Sequence, residues 1–197
     1  MPRSDQRSGD QEAEKGLLIA AGRGDGAAFE ELAALVQGGL YTFILRMIGS
    51  PEEAEDLTQE VLLKLFRTAG RFDPRRSVRP WMYRIARNAV IDHVRTRKLA
   101  ASLDEVIEIS GEPASGAPTP AESFMGARDL ANVAEALGKL PAKYREVLLL
   151  RYMEHFSYKD ISAALGKSVA AVESRLHRGK QLLRKLVENR RSFRPPS

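Results

Sequence analysis

The sequence predicts an all-α fold, with two small helical domains joined by a flexible acidic linker and a helix-turn-helix in the second domain. Apolar residues recur every three or four positions over most of the chain, and helix-capping residues precede these segments. A stretch rich in proline, glycine, serine and acidic residues interrupts them. The predicted divisions are a disordered tail, a first domain, the linker, a second domain and another disordered tail, over residues 1–14, 15–98, 99–128, 129–189 and 190–197.

The composition excludes several functional classes. The 197 residues include no cysteine, which excludes disulfide scaffolds, thiolate metal sites and cysteine nucleophiles and is typical of a reducing compartment. No uninterrupted apolar run approaches the roughly 20 residues that a membrane helix needs. The polar start of the chain also lacks the apolar stretch of a signal peptide. We therefore expect a cytoplasmic protein with no membrane insertion.

Charge alternates along the chain in four blocks. The net charge is −5 over residues 1–70, +7 over 71–98, −6 over 99–138 and +9 over 139–197, which together give the total of +5. A single charged run is usually a solvated face, but two basic blocks that each fall on a predicted helix favour two contacts with nucleic acid.

Two amphipathic helices are predicted in the first domain. Apolar residues recur through residues 27–48, and Gly49 ends that helix. Ser50 then provides a hydroxyl cap and Pro51 occupies the first helical position of a second helix, which extends to about Ala69. The second helix has a polar face opposite its apolar stripe, available for a partner. That face carries Asp56, Gln59, Glu60, Leu63 and Arg67.

A basic loop over residues 70–80 leads into a third helix, predicted over 81–98. Arginines on both elements can neutralise phosphates, and the amide of Asn88 can hydrogen-bond a base edge or remain solvated. Phe72 can stack on a flipped base or plug the core, Trp81 is expected in the core, and Tyr83 is left open. The candidate nucleic-acid residues of this region are Phe72, Arg75, Arg76, Arg79, Arg84, Arg87, Asn88 and Arg95.

The second domain is predicted to be entirely helical, with helices over residues 129–140 and 141–155 followed by a shorter pair. Ser157 and Asp160 resemble a capping box, Gly166 provides a tight turn, and Ser168 can cap the last helix. This order is typical of a helix-turn-helix, whose second helix enters a DNA groove. Its outward candidates are Ser168, Ala171, Ser174, Arg175 and Arg178.

Four strings of the sequence together resemble the extracytoplasmic-function (ECF) group of bacterial sigma factors. Residues 24–32 resemble the opening motif of that group, and residues 56–65 resemble its polymerase-clamp helix. Residues 79–92 are similar to the helix that contacts the minus-ten promoter element, and residues 140–178 are similar to the domain that recognises the minus-thirty-five element. Order and spacing agree, over most of residues 17–98 and 129–187.

The resemblance implies a sigma factor that is not itself an enzyme and uses no cofactor. Asp56 and its face would bind the clamp of the β′ subunit of RNA polymerase core, and the two basic regions would bind promoter DNA. The resemblance also implies an anti-sigma factor as a regulatory partner. Glu173, Gly179 and Lys180 depart from the family pattern. The glycine is expected to let the last helix fray after Arg178.

Two other classes of protein are alternatives to this interpretation. A dimeric helix-turn-helix regulator would account for residues 129–187 but would leave the strings at Asp56 and Trp81 unexplained. A metal-dependent nuclease would need acidic ligands beside the basic loop, and the charge blocks keep the two apart. The carboxylates near Asp56 match a docking helix, and the three histidines share no ligand spacing, so no metal site and no catalytic residue is predicted.

Overall fold

The computed structural model describes residues 3–103 and 127–192, and within these ranges it contains eight α-helices and no strand. The N-terminal half, α1–α4, and the C-terminal half, α5–α8, are separated by residues 104–126, which include most of the predicted linker and lie outside the described residues. The all-α prediction is confirmed. The helices are Arg3–Gly22 (α1), Gly26–Ile48 (α2), Pro51–Thr68 (α3), Val78–Leu103 (α4), Ala127–Lys139 (α5), Ala142–Tyr152 (α6), Tyr158–Leu165 (α7) and Val169–Ser192 (α8).

Local capping interactions begin and end the helices where the sequence predicts. The Ser50 hydroxyl accepts a hydrogen bond from the backbone N–H of Glu53, and Pro51 stands in the first turn of α3. Gly49 ends α2 in the left-handed conformation, with φ of 86°. Glycine adopts this conformation without the steric penalty of a side chain, so the tight α2–α3 connection follows from the sequence.

The helix-turn-helix forms in the same way. Ser157 and Asp160 make both hydrogen bonds of a capping box at the start of α7, and Gly166 ends that helix with φ of 61°. The Ser168 hydroxyl then accepts from the N–H of Ala171 at 3.2 Å and caps α8. The predicted order of cap, helix, glycine turn and cap is therefore confirmed.

The prediction of disordered tails at residues 1–14 and 190–197 is wrong for residues 3–14 and 190–192, which the structure describes as helical. α1 begins at Arg3, and Glu14, which is 2% exposed, forms an ion pair with Arg79 of α4. Residues 1–14 have few apolar side chains, so the ion pair of Glu14 ties them to the bundle next to Leu18 and Ala21, which bury the end of α1 in the core. At the other end of the chain, α8 extends to Ser192. The edges of the predicted linker, 99–103 and 127–128, are likewise helical.

The prediction that α8 frays after Arg178 is also wrong, because the helix continues to Ser192. Gly179 is buried, and a Cβ atom built on it would lie 3.3 Å from a methyl carbon of Leu148 and 3.4 Å from Cβ of Tyr144. The glycine thus allows α6 and α8 to approach closely, and this packing compensates for the poor helix propensity.

The helix α2 is long and apolar enough to cross a membrane by length and composition alone, with a mean hydropathy of 1.2. The sequence shows no uninterrupted apolar run here because Glu30 and Glu31 lie within the helix. In the structure, its apolar side, including Leu32, Leu40 and Phe43, is buried in the hydrophobic core. Burial of this kind is typical of a central core helix in a globular bundle.

One hydrophobic core runs through both halves. Tyr83 of α4 packs edge-on against Phe43 of α2, with ring centroids 5.4 Å apart, and against Phe156 of the C-terminal half at 5.2 Å. The two predicted helical units therefore pack directly on each other. In the N-terminal unit, α4 supplies the side chain that contacts Phe156 of the C-terminal unit.

Replacement of Gly179 by glutamine is expected to lower the melting temperature. The larger side chain must displace Leu148 or Tyr144, and overpacking of this kind costs about 1–3 kcal/mol. Gly38 is a matched control, because it lies inside α2 and a Cβ atom placed on it would have no neighbouring atom within 4 Å. Gly38→Gln is therefore expected to raise stability by about 1 kcal/mol. Thermal unfolding followed by circular dichroism measures both changes. A rise in melting temperature for Gly179→Gln would contradict the close-packing explanation.

Candidate nucleic-acid interface

Two aromatic residues near the basic loop, Phe72 and Tyr83, lie in the core, and Trp81 packs against it. Phe72 is 7% exposed and packs against the Trp81 ring with centroids 5.2 Å apart. Of the two roles left open for Phe72, the structure therefore supports the core plug, and the assignment of Phe72 as a base-stacking residue is corrected. Tyr83 is also buried. Phe72 and Tyr83 therefore present no stacking surface, whereas the half-buried Trp81 both packs on Phe72 and lines the neighbouring cleft.

A basic cleft of about 410 Å³ lies beside the start of α4. Arg75 and Arg76 of the loop and Arg84 of α4 line one side, and Lys159 of α7 lines another. Because α4 begins immediately after the loop, cations that are separate in the sequence converge on one surface. The cleft has the charge that a phosphate backbone requires.

The cations of the loop are held by a local carboxylate. Both carboxylate oxygens of Asp73 accept hydrogen bonds from Arg75, at 3.0 and 3.1 Å, and Asp73 lies 3.7 Å from Arg76. These hydrogen bonds from Arg75 lower the pKa of the Asp73 carboxyl. The loop geometry thus depends on Asp73, while both arginines remain exposed to solvent.

Arg79 does not face the basic cleft as a free cation. Its guanidinium donates three hydrogen bonds of 2.6–3.1 Å to the buried carboxylate of Glu14 in α1. The hydrogen bonds from Arg79 to Glu14 raise the pKa of the arginine. This side chain anchors α1 to α4, a contact that the sequence analysis missed because its partner lies 65 residues away.

On the outward face of α4, Arg84, Asn88 and Arg95 are exposed, as predicted. Arg95 forms a surface ion pair with Asp92 at 3.2 Å. Surface pairs of this type contribute little to stability and are readily exchanged, so they do not prevent a phosphate contact.

Arg87 and Arg175 are drawn together by one buried carboxylate. Glu146 of α6 is 4% exposed; its two oxygens accept from Arg87 Nε at 2.8 Å and from Arg175 at 2.9 Å. Arg87 belongs to α4 of the N-terminal half, and Arg175 belongs to the helix-turn-helix. The structure therefore joins two candidate DNA residues of different halves. Glu146 was not predicted as a site residue; its only signal in the sequence is a carboxylate directly before the apolar run of residues 147–150.

The remaining candidates at the start of α8 lie at the surface to different extents. Ser174 and Arg178 are exposed, Ala171 is partly buried, and Ser168 caps the helix through its hydroxyl. Glu173 is also exposed on this helix. The start of α8 therefore presents short polar side chains and one unburied arginine, which suits entry into a groove.

A different surface lies on α3. All five residues predicted for a partner face, from Asp56 to Arg67, are exposed, and Leu63 has 55% of its surface accessible. Phe66 is 42% exposed and packs against Phe29 with ring centroids 4.8 Å apart. The sequence analysis missed Phe66, although its position three residues after Leu63 places it on the same side of the helix. Across the described residues, no group of three or more histidine or acidic side chains could hold a metal ion.

Comparison with protein families gives two matches in the same chain. Residues 24–99 match Sigma-70 region 2, and residues 130–183 match Sigma-70, region 4. The first match covers the strings that a stand-alone helix-turn-helix regulator leaves unexplained, so that alternative is not favoured.

Two curated relatives match along most of their length. The chain is 31% identical over 173 residues to the ECF RNA polymerase sigma factor SigW of Bacillus subtilis, covering 85% of this chain and 92% of SigW. It is 34% identical over 165 residues to the RNA polymerase sigma factor CarQ of Myxococcus xanthus, covering 83% of this chain and 92% of CarQ.

Solved structures give the same result. The sigma factor RpoE of Bartonella quintana, solved with the anti-sigma factor NepR, aligns with a TM-score of 0.69 at 28% identity, over 81% of this chain and 96% of RpoE. CnrH, solved with the cytosolic domain of CnrY, aligns with a TM-score of 0.68 at 29% identity, over 90% of this chain and 98% of CnrH. The chain therefore belongs to the ECF group of RNA polymerase sigma factors, which direct promoter-specific transcription initiation.

Proposed function

We propose that this sigma factor binds RNA polymerase core through the exposed face of α3 and promoter DNA through α4 and α8. The observation that carries the proposal is the separation of surfaces. The α3 face is acidic and apolar, whereas the basic cleft and the start of α8 carry exposed cations. A polymerase-docking surface and two DNA surfaces can then be used at once.

The α3 face has the chemistry of a protein interface. Leu63 and Phe66 form an exposed apolar centre, and Asp56, Glu60 and Arg67 lie around it. An apolar centre with a polar rim is the usual anatomy of a protein–protein contact. We assign its partner as the clamp of the β′ subunit.

The minus-ten element would lie along the basic cleft and α4. Arg75, Arg76 and Arg84 supply phosphate contacts, which give affinity and salt dependence but little sequence information. Asn88 is exposed on the same helix, and its amide can both donate to and accept from a base edge. Arg95 would extend the phosphate contacts toward the end of α4.

The minus-thirty-five element would be contacted by α8. Arg178 is exposed and can donate to a guanine edge or a phosphate, and Ser168 and Ser174 are short enough to let the helix approach the groove floor. Glu173 on this face would repel a phosphate or accept from a cytosine amino group.

Three further assignments follow from membership of the family. We propose an anti-sigma factor as a partner, since RpoE and CnrH are sigma factors whose solved structures contain NepR and part of CnrY. We propose a cytoplasmic location, where RNA polymerase acts. We also propose that the chain has no catalytic activity of its own and needs no cofactor.

The general test is reconstituted transcription with sigma-free core polymerase and a genomic fragment library. The purified protein is expected to produce new transcript starts that share paired upstream motifs. Transcript mapping measures this, and a failure both to bind core and to produce starts would contradict the proposal.

Asn88→Ala is expected to relax sequence preference at one position of the minus-ten element. A lost base-edge contact removes about 1–3 kcal/mol of discrimination between bases. Arg84→Ala is the matched control, because loss of a phosphate contact weakens all promoters evenly and lowers the salt slope by about 1. Holoenzyme binding to promoter variants distinguishes the two. Equal effects of Asn88→Ala on every variant would refute its role in base recognition.

Leu63→Asp is expected to weaken binding to core polymerase by about 2 kcal/mol or more, because a charge then occupies the apolar centre of the interface. Leu35→Asp is the control, since Leu35 of α2 is 57% exposed and lies outside the assigned face. Fluorescence anisotropy of labelled protein titrated with core measures both. Equal weakening by the two substitutions would argue against this docking face.

A further inference from the structure

The basic cleft beside the start of α4 has walls from both halves of the chain. Arg75 and Arg76 of the loop and Arg84 of α4 lie on the N-terminal side, and Lys159 in the first turn of α7 lies on the C-terminal side. All four side chains are exposed. Cations from distant parts of the sequence therefore converge on a cleft of about 410 Å³, which is within the usual size range of small-molecule sites.

The carboxylates near these cations leave much of the positive charge available. Asp160 also lines the cleft, but one of its oxygens is used in the capping box of α7. Asp73 binds Arg75 through both of its oxygens. Arg84 and Lys159 form no ion pair with any residue that the structure describes. One cation on each wall is therefore free to bind an anion in the cleft.

Trp81 adds an aromatic surface to the same cleft. Its indole ring is half-buried: it packs against Phe72 with ring centroids 5.2 Å apart, and it also lines the cleft. Because the contact with Phe72 already holds the ring, a ligand that stacks on it pays little side-chain entropy. An aromatic ring beside cations is the combination that binds a nucleotide base together with its phosphates.

We propose that this cleft binds a free nucleoside triphosphate, whose base stacks on Trp81 and whose phosphates contact Arg84 and Lys159. A polyphosphate chain concentrates several negative charges at one place, as the cleft concentrates its cations. A nucleic-acid strand carries a single phosphate charge on each nucleotide and matches this arrangement less closely. The site is assigned to the protein in the absence of core polymerase, and it does not depend on the promoter contacts proposed above.

Binding is measured by the fluorescence of Trp81, the single tryptophan of the chain, excited at the red edge of its absorption to avoid adenine. ATP is the probe; adenosine is titrated in parallel, and inorganic tripolyphosphate is measured by displacement of ATP. ATP is expected to bind at least about tenfold more tightly than either, because it alone makes both the stack and the phosphate contacts. Equal binding of ATP and tripolyphosphate, or a Kd for ATP weaker than about 1 mM, would overturn the proposal.

Lys159→Gln and Arg84→Gln test the two walls separately, because each removes one charge from an exposed side chain. Each substitution is expected to weaken ATP binding by about tenfold or more. Lys64→Gln is the matched control, since Lys64 is exposed on α3 and does not line the cleft. Its Kd for ATP is expected to equal that of the wild type. A Kd of either cleft variant equal to that of Lys64→Gln would overturn the site.

A short single-stranded oligodeoxyadenylate distinguishes a free nucleotide from a nucleic-acid strand, which offers the same base and phosphate chemistry. Without core polymerase, the oligonucleotide is expected to bind more weakly than ATP at equal nucleotide concentration. Tighter binding of the oligonucleotide, with displacement of ATP, would overturn the proposal and assign the cleft to DNA alone.

The proposed function is tested separately, by promoter binding of Asn88→Ala and Arg84→Ala in the holoenzyme. Unchanged promoter binding by both variants, with ATP binding to the wild-type protein retained, would refute the DNA contacts of α4 and leave the nucleotide site standing.

Discussion

The packing of α4 against both halves is the constraint on which the rest of the structure depends. Met82 and Ala86 are fully buried in the shared core, and Tyr83 contacts an aromatic ring from each half. A hydrophobic core this continuous resists independent motion of its two sides, because separation would expose apolar surface to water. The face of α4 that remains outside is therefore held at a defined position relative to the helix-turn-helix.

Arg145 links both near and distant parts of the chain at this junction through its two terminal guanidinium nitrogens, while its buried Nε has no hydrogen-bond partner among the described residues. Arg145 donates to carbonyls of its own half, at Gly138 and Leu140, and to carbonyls of Arg46 and Met47 at the negative end of the α2 dipole. Burial lowers the pKa of this arginine and raises that of Glu154. Buried charges are tolerated only when such hydrogen bonds offset their desolvation, so these residues determine how the halves fit together.

The same junction connects the fold to its function as a sigma factor. Basic residues suited to DNA lie on α4, on the preceding loop and on α8, but they are not equivalent in the structure. Arg84 and Arg178 are exposed, whereas Arg79 and Arg87 are committed to buried carboxylates. A charge map drawn from the sequence therefore overstates the number of cations that are immediately available to a phosphate backbone.

The sequence by itself determined the helices other than α1, the caps of α3 and of the helix-turn-helix, and the family. Ser50, Ser157, Gly49 and Gly166 act through neighbours within a few residues, so local chemistry was enough to predict the α2–α3 connection and the helix-turn-helix. The exposed positions on α3, and Ser174 and Arg178 on α8, followed from helical periodicity, because a helix repeats its faces every 3.6 residues.

Only the tertiary structure decided which polar residues are paired. The bonds from Arg79 to Glu14 and from Arg87 to Glu146 join positions 65 and 59 residues apart, and no local pattern encodes such partners. The same holds for Gly179, whose poor helix propensity is outweighed by close packing on Leu148. Periodicity shows that a side chain faces outward from its own helix, but whether that direction leads to solvent or to another helix depends on the packing of the whole chain.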